Sequence, residues 1–503
     1  MLPVEGVAAR LNDRFLLLTG GPRTALPRQQ TLRAALDWSW ELLAANERTL
    51  LSRLSVFADG CTLEAAEAVW WGDGLEAGLV LDGLGGLVDK SLVQLDERED
   101  SAPRYRLLET VHQYATERLA GKGERAATRD RHLAHFLALA EEALPALESV
   151  EQGAWLARLD REHDNMRGAL TWADESGAAD TVLQLAGALG HFWRWRGHYA
   201  EGQGWLEAAL GGTHGRPEYR ARALDGAGGV AHAQGDFARA VAWNEEALAL
   251  RRSLGDRSSV ADSLIALGSI AENQGDFARA ATLFGESLAL CRDVGDRRAI
   301  SGALNALGWL MVCTSENERA VSLLEEALML KRTLGDRAGI SHSLNQLALV
   351  ASQRGEHLRA TVLQEECLAL NRELGNTYGI ADVLNNMGRA ACWRGDHERA
   401  AVRFAESLRL SNESGARAGV MISLELLGRT GIASGQCGWA AQLCGAAQAL
   451  REVLGARIPP FEIGNHDRAL GAMREALGEE AFATSWAAGL AMPLGQAVAL
   501  ALA

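Results

Sequence analysis

Lysine is almost missing from this chain. Lys90, Lys122 and Lys331 are three among 50 basic residues, and the other 47 are arginine. A phosphate-binding loop needs Lys after Gly and before Ser or Thr, and the nearest approach, Gly121-Lys122-Gly123-Glu124, lacks that setting. No nucleotide-hydrolysing loop is recognisable in these residues. Proline is also scarce, 9 in 503, which favours helices over many-stranded sheets. The seven cysteines (Cys61, Cys291, Cys313, Cys367, Cys392, Cys437, Cys444) are scattered without a Cys-x-x-Cys pair, so neither a disulfide framework nor a structural zinc site is expected. His132, His135 and His163 fall in helical stretches without a carboxylate cluster at ligand spacing, and surface or capping roles are expected for them. There is no His-Glu-x-x-His pair and no Gly-x-Ser-x-Gly elbow, and Gly83-Leu-Gly-Gly86 lacks the third glycine of a dinucleotide loop. The expectation is a non-enzyme without cofactor or metal. Met1-Leu2-Pro3-Val4-Glu5 has no basic start before an apolar stretch, and the uncharged run Ala487–Ala503 is short for a membrane span and holds Pro493 and Gln496. That run reads as a packed end helix, and the expected compartment is the cytoplasm.

What is present is an ordinary globular balance, 48% apolar and 23% charged, with an excess of 65 acidic over 50 basic residues and a formal charge of −15. Such a charge argues against the whole chain being held to phosphate backbones or anionic lipid. The 54 glycines are organised by an internal repeat. Gln234-Gly-Asp-Phe-Ala-Arg-Ala240 and Gln274-Gly-Asp-Phe-Ala-Arg-Ala280 are identical and 40 residues apart, and altered forms return at Ser315–Ala320, Arg354–Ala360, Arg394–Ala400 and Ser434–Ala440. Leu264, Leu267, Gly268 and Ala271 precede the turn at helical spacing, and Phe277, Ala280, Phe284 and Leu288 follow it, so each copy is a helix hairpin. The small residues Gly228, Gly268, Gly308, Ala348, Gly388 and Gly428 allow the two helices to approach closely. A second punctuation, Leu254-Gly-Asp-Arg257 and its copies at 294–297 and 334–337, supplies a left-handed Gly and a capping Asp. In copy three Ser315 and Asn317 replace the turn glycine and the aromatic, and a local irregularity is expected there.

This pattern resembles the tetratricopeptide repeat, whose usual unit is about 34 residues. The longer period implies extended helices or longer links. The expected fold is all-α: a solenoid of six repeats over 220–455, preceded by degenerate helical repeats over 121–219 and closed by capping helices over 456–503. In such an array the first helix of each pair lines the inner surface. Asn305, Asn345 and Asn385, with Trp309, His342, Arg389 and Trp393, are expected to face inward as a ligand-binding set. An amide ladder there could grip an extended peptide or small ligand. Equally, Asn ties neighbouring helices together and Trp fills the packing between repeats.

Before the repeats, four helical stretches (31–43, 47–57, 62–70 and 75–88) lead into two strands, 91–96 and 104–108, and an exit helix at 109–119. Helices followed by one hairpin suggest a winged helix over 31–120, with 1–30 as a preceding linker. That unit has eight basic residues against sixteen acidic ones. Phosphate neutralisation supplies most nonspecific DNA affinity, so direct nucleic-acid binding is not expected of it.

Ala8-Ala-Arg-Leu-Asn-Asp-Arg-Phe15, Leu18-Thr-Gly-Gly21, Leu36-Asp-Trp-Ser39, Leu54-Ser-Val-Phe57, Leu87-Val-Asp-Lys-Ser-Leu92, Tyr105-Arg-Leu-Leu-Glu-Thr110 and Leu443-Cys-Gly-Ala-Ala447 together resemble the stretch after the nucleotide-binding domain of bacterial STAND-type regulatory ATPases. The resemblance implies a winged helix that clamps an ATPase, a repeat array that senses an inducer or partner protein, and a transcriptional output. ATP binding maps to no residue of this sequence, so an ATPase domain would be a partner in cis or in trans. A free-standing interaction scaffold and a DNA-binding regulator are the competing functions.

Overall fold

The computed structural model describes residues 32–70, 78–96, 103–147, 151–212 and 215–503. The expected linker 1–30 lies outside them. The chain divides into two compact units: one holds the described residues up to Leu139 with Asp160–Ala178, the other Ala140–Leu159 with Ala179–Ala503.

The first unit opens with helices α1 (Leu32–Glu41), α2 (Ala45–Leu54), α3 (Leu63–Trp70) and α4 (Gly78–Asp89). Strands β1 (Val93–Asp96) and β2 (Arg104–Leu107) pair antiparallel, with Val93 opposite Leu107, and α5 (Glu109–Gly121) follows. Leu50, Leu51, Leu84, Leu87, Trp70, Tyr114 and Leu119 form its buried core. Cys61 adds a bridge to the hairpin, exchanging backbone hydrogen bonds with Tyr105 at 2.9 and 2.8 Å. Gly60 permits this approach: it holds φ +75°, and a Cβ there would lie 2.5 Å from the Tyr105 carbonyl oxygen. Helices α6 (Arg125–Ala146) and α7 (Gln152–Glu175) give part of their length to this unit. Arg104 pairs there with Glu162, and Asn165 accepts a hydrogen bond from the Ala58 amide at 2.9 Å. His132 is not a surface or capping residue as expected: it is 3% exposed and packed between the tilted rings of Phe57 and Phe136.

The second unit is a stack of helix hairpins. After α8 (Ala179–Arg196) and α9 (Tyr199–Leu210), six pairs repeat at the 40-residue interval: α10 (Pro217–Gln234) with α11 (Phe237–Leu254), α12 (Arg257–Asn273) with α13 (Phe277–Val294), α14 (Arg297–Cys313) with α15 (Asn317–Leu334), α16 (Arg337–Gln353) with α17 (His357–Leu374), α18 (Thr377–Trp393) with α19 (His397–Glu413), and α20 (Arg417–Gly431) with α21 (Cys437–Leu454). The helices of the second pair hold 17 and 18 residues, so the length beyond the usual repeat lies in the helices rather than the links. Asp256, Asp296 and Asp336 accept backbone hydrogen bonds at the starts of α12, α14 and α16, and Gly255, Gly295 and Gly335 close the preceding helices with φ between +69° and +79°. Ala240, Ala280, Ala320, Ala360, Ala400 and Ala440 are at most 2% exposed, which seats the second helix of each pair on the first. A Cβ on Gly268 would stand 2.4 Å from the Phe284 ring, and one on Gly388 2.3 Å from the Phe404 ring.

Copy three is regular. Ser315 takes the left-handed turn itself, φ +66°, and the Glu316 amide bonds back to the Met311 carbonyl at 2.8 Å, as Asp276 does to Ala271. The cost is local strain, because a Cβ disfavours that conformation by about 1 kcal/mol. The capping helices are α22 (Pro460–Leu477), α23 (Glu479–Leu490) and α24 (Leu494–Leu502); the run Ala487–Ala503, expected as one end helix, is instead shared between α23 and α24, which are bent by 118° at the break between them. No single helix among the described residues is long and apolar enough to cross a membrane.

The array curls far enough to meet itself. Arg196 Nη1 donates to the carbonyls of Leu374 and Gly375 at 3.3 and 3.2 Å, and Arg457 N donates to the Asn273 carbonyl at 3.0 Å. Phe237 and Ile270 pack with Met421 and Leu454 in one apolar cluster.

Candidate binding groove of the repeat array

The curl leaves a hollow lined by the first helices. Enclosure holds His191, His232 and His342 below their ordinary pKa range, and in each case the Arg194 guanidinium adds to it. One arginine of α8 thus looks on residues from α10 and α16. His342 keeps solvent access while enclosed in this way, as a group in a wet hollow does.

Asn305, Asn345 and Asn385 are 3%, 5% and 3% exposed, and each amide is engaged by the array itself. Asn305 accepts from Lys331 Nζ at 2.8 Å and donates to Gln346 Oε1 at 2.9 Å. Asn345 donates to Asp382 at 2.6 Å and accepts from Asn386 at 3.1 Å, while Asn385 accepts from Ser423 Oγ at 3.3 Å. Asn305 and Lys331 are one instance of a tie spanning 26 residues within a hairpin; Asp225 with Arg251 and Glu425 with Arg451 occupy the same frame as ion pairs. Those opposite charges, two and three repeats from the asparagine, were visible in the sequence once the frame was known. Lys331, the rarest residue type here, is 4% exposed, and burial draws its pKa down to about 8.

The other four predicted residues stand at the wall of the hollow. His342 bonds to Gln346 at 3.0 Å. Trp309 Nε1 donates to Glu272 at 2.9 Å, and its ring meets Phe461 edge-on at 6.4 Å. Arg389 Nε donates to Glu462 at 3.0 Å and its Nη1 to Asn386 at 2.7 Å. Trp393 is 36% exposed beside a cavity of about 420 Å³ that Arg389, Cys392, His397, Arg429 and Arg468 also line. Phe461 and Glu462 were not legible in the sequence because α22 lies outside the repeat frame, whereas Arg429, overlooked there, stands in the frame 40 residues after Arg389. Arg429 Nη1 reaches the second oxygen of Glu462 at 2.7 Å, so one buried carboxylate is held by two arginines. Burial opposes the charge on Glu425, but the hydrogen bond from His466 and the charges of Arg451 and Arg429 outweigh it and hold its pKa down to about 2.

In the first unit, α4 occupies the place of a recognition helix. Its outward side chains are Leu79, Leu81, Asp82 and Asp89, and Lys90 at its end is paired with Glu47. This face is apolar and acidic, the opposite of a phosphate-binding surface.

Comparison with known proteins matches a winged helix-turn-helix domain to residues 43–120. Tetratricopeptide repeats match residues 220–258, 259–333 and 341–374. The chain is 44% identical over 210 residues to a Mycobacterium tuberculosis (strain ATCC 25618 / H37Rv) protein named for an HTH-type transcriptional regulator; the match covers 42% of this chain and 23% of that relative. Among solved structures, a Rap protein complexed with Competence and Sporulation Factor is similar at a TM-score of 0.50 and 12% identity, covering 73% of this chain and 98% of that one. A STAND protein with a tetratricopeptide repeat sensor from Pyrococcus horikoshii is similar over 93% of this chain and 68% of that one, at 13% identity and a TM-score of 0.48. The chain therefore joins a winged helix-turn-helix domain to tetratricopeptide repeats.

Proposed function

We propose that this chain is the signal-sensing and protein-interaction arm of a STAND-type regulator. The repeat groove takes a peptide or small inducer at Trp309, His342, Arg389 and Trp393, with Asn305, Asn345 and Asn385 fixing the helices that carry them. The winged helix docks on an ATPase domain, in cis or in trans, and passes the signal to a transcriptional output. The observation that carries the docking role is the outward face of α4, where Leu81 is 52% and Leu79 36% exposed between acidic neighbours. Exposed leucines flanked by carboxylates suit a protein surface and repel a nucleic-acid backbone. The likeness to a Rap protein complexed with Competence and Sporulation Factor supports the sensing role.

The test mixes the purified chain with a separately expressed nucleotide-binding domain of a STAND regulator and reads nucleotide turnover. Turnover is expected to fall on addition of the chain, and Leu81→Asp is expected to weaken that effect by about tenfold or more. Absence of both association and any change in turnover would remove the docking role.

A further inference from the structure

The groove already has an occupant. After α21 the chain turns back at Arg457, whose amide bonds to the Asn273 carbonyl, and the start of α22 enters the hollow. Phe461 packs on the core of the third and fourth hairpins and meets Trp309. Glu462, 4% exposed, lies between Arg389 and Arg429. The far half of α22 is held differently, with Met473 packed against Ala440, Ala441, Cys444 and Phe482. The helix is thus anchored at its end and inserted at its start.

Arg389, Arg429 and Arg451 gather on Glu425 and Glu462, with His466 on Glu425 and the Asp382 carboxylate within electrostatic reach of Arg389. Arg451 is 8% exposed, and its Nε and Nη1 meet no hydrogen-bond partner. A buried guanidinium with idle donors favours a further acceptor nearby. Beside Arg389 and Arg429 lies the 420 Å³ cavity with Trp393 at its edge, which is room for side chains that α22 does not supply.

We propose that Trp309, Arg389 and Arg429 form a receptor site for a peptide carrying an aromatic residue next to a carboxylate, and that Phe461-Glu462 is a tethered copy of that ligand which the incoming peptide displaces. The proposal rests on the sensing role of the groove given above and adds the chemistry of the ligand and its built-in competitor. Two arginines grip one carboxylate, the aromatic ring rests on Trp309, and tethering makes the internal copy compete at a high effective concentration.

The test uses the full chain and a fluorescent synthetic peptide with the sequence of residues 456–468, ARIPPFEIGNHDR. The double variant Phe461→Ala with Glu462→Ala is expected to bind it at least about tenfold more tightly than the unaltered chain, since the tether no longer competes. Adding Arg389→Ala to that variant, or replacing the peptide's glutamate by glutamine, is expected to weaken binding by roughly thirtyfold. Equal binding by the unaltered chain and a folded double variant would overturn the proposal, as would no binding to either. Glu462→Gln keeps the side-chain shape in case the double variant unfolds. In that variant the amides of 461–468 should exchange faster than those of 473–477, and unchanged exchange counts against a displaceable helix. These measurements involve no ATPase domain, so their failure is distinct from failure of the docking role.

Discussion

His132 shows how a residue type with an open role in sequence is settled by packing. Its ring centroid lies 5.2 Å from Phe57 and 4.6 Å from Phe136, and Nε2 has no hydrogen-bond partner. Burial is the main cause of a pKa lowered to about 3, with the charges of His135 and Arg129 adding to it. The folded unit therefore excludes a proton that the unfolded chain binds near pH 6.5. This contribution to stability is present above pH 6.5 and is lost as pH falls from there toward 3. Between pH 6.5 and 5 the loss amounts to about 2 kcal/mol. Hydrogen exchange of Leu133 and Phe136, corrected for intrinsic rates, should show that loss in the natural chain. His132→Gln should be less stable at pH 7 yet lose less on acidification; an identical pH slope would refute the assignment. Spacing along a helix showed where His132 lay but not the two phenylalanines that enclose it, one of them 75 residues upstream.

At the level of elements, most of the hairpin was legible because its chemistry recurs at a fixed frame. The turn glycines, capping aspartates and close-contact glycines are each forced by backbone geometry, so their positions carry the fold directly. Two glycines in one hairpin separate packing from propensity. Gly268 faces the Phe284 ring, which is 1% exposed and cannot retreat, whereas Gly285 is exposed and has nothing within 4 Å of where a Cβ would stand. Gly268→Ala is expected to destabilise the array by about 1–3 kcal/mol despite the better helix propensity of alanine. Gly285→Ala is expected to stabilise it by up to about 1 kcal/mol. Urea denaturation followed by circular dichroism measures both, and equal signs would show that the glycine contact sets no spacing. Legibility ended where the frame ended. Glu462 and Phe461 belong to no repeat, and nothing local marks a helix start as the partner of arginines 73 and 33 residues earlier. Ser315 departed from the residue pattern but kept the geometry, because its neighbours determine the turn and impose the strain.

For the whole molecule the question is whether the array behaves as a line or as a closed coil. Repeat proteins ordinarily couple only to their neighbours, so damage at one end stays near that end. Here Leu454, 5% exposed at the end of α21, packs with Phe237 and Ile270, and a Cβ on Gly235 would stand 2.6 Å from its Cδ2. Those contacts join the sixth hairpin to the first and second. Leu454→Ala removes buried methyl groups that the surrounding backbone cannot replace, a change worth about 2–4 kcal/mol. In a closed coil, amide protection should fall in Pro217–Gln234 and Phe237–Leu254 as well as in Cys437–Leu454, while Asn317–Leu334, opposite in the coil, changes little. Loss confined to Cys437–Leu454 and the hairpin before it would mean that closure adds no stability. The outcome bears on sensing, because a ligand that levers α22 out of the hollow acts on the same end of the chain. If the ends are coupled through Leu454, that displacement reaches the first two hairpins without passing through the three between them.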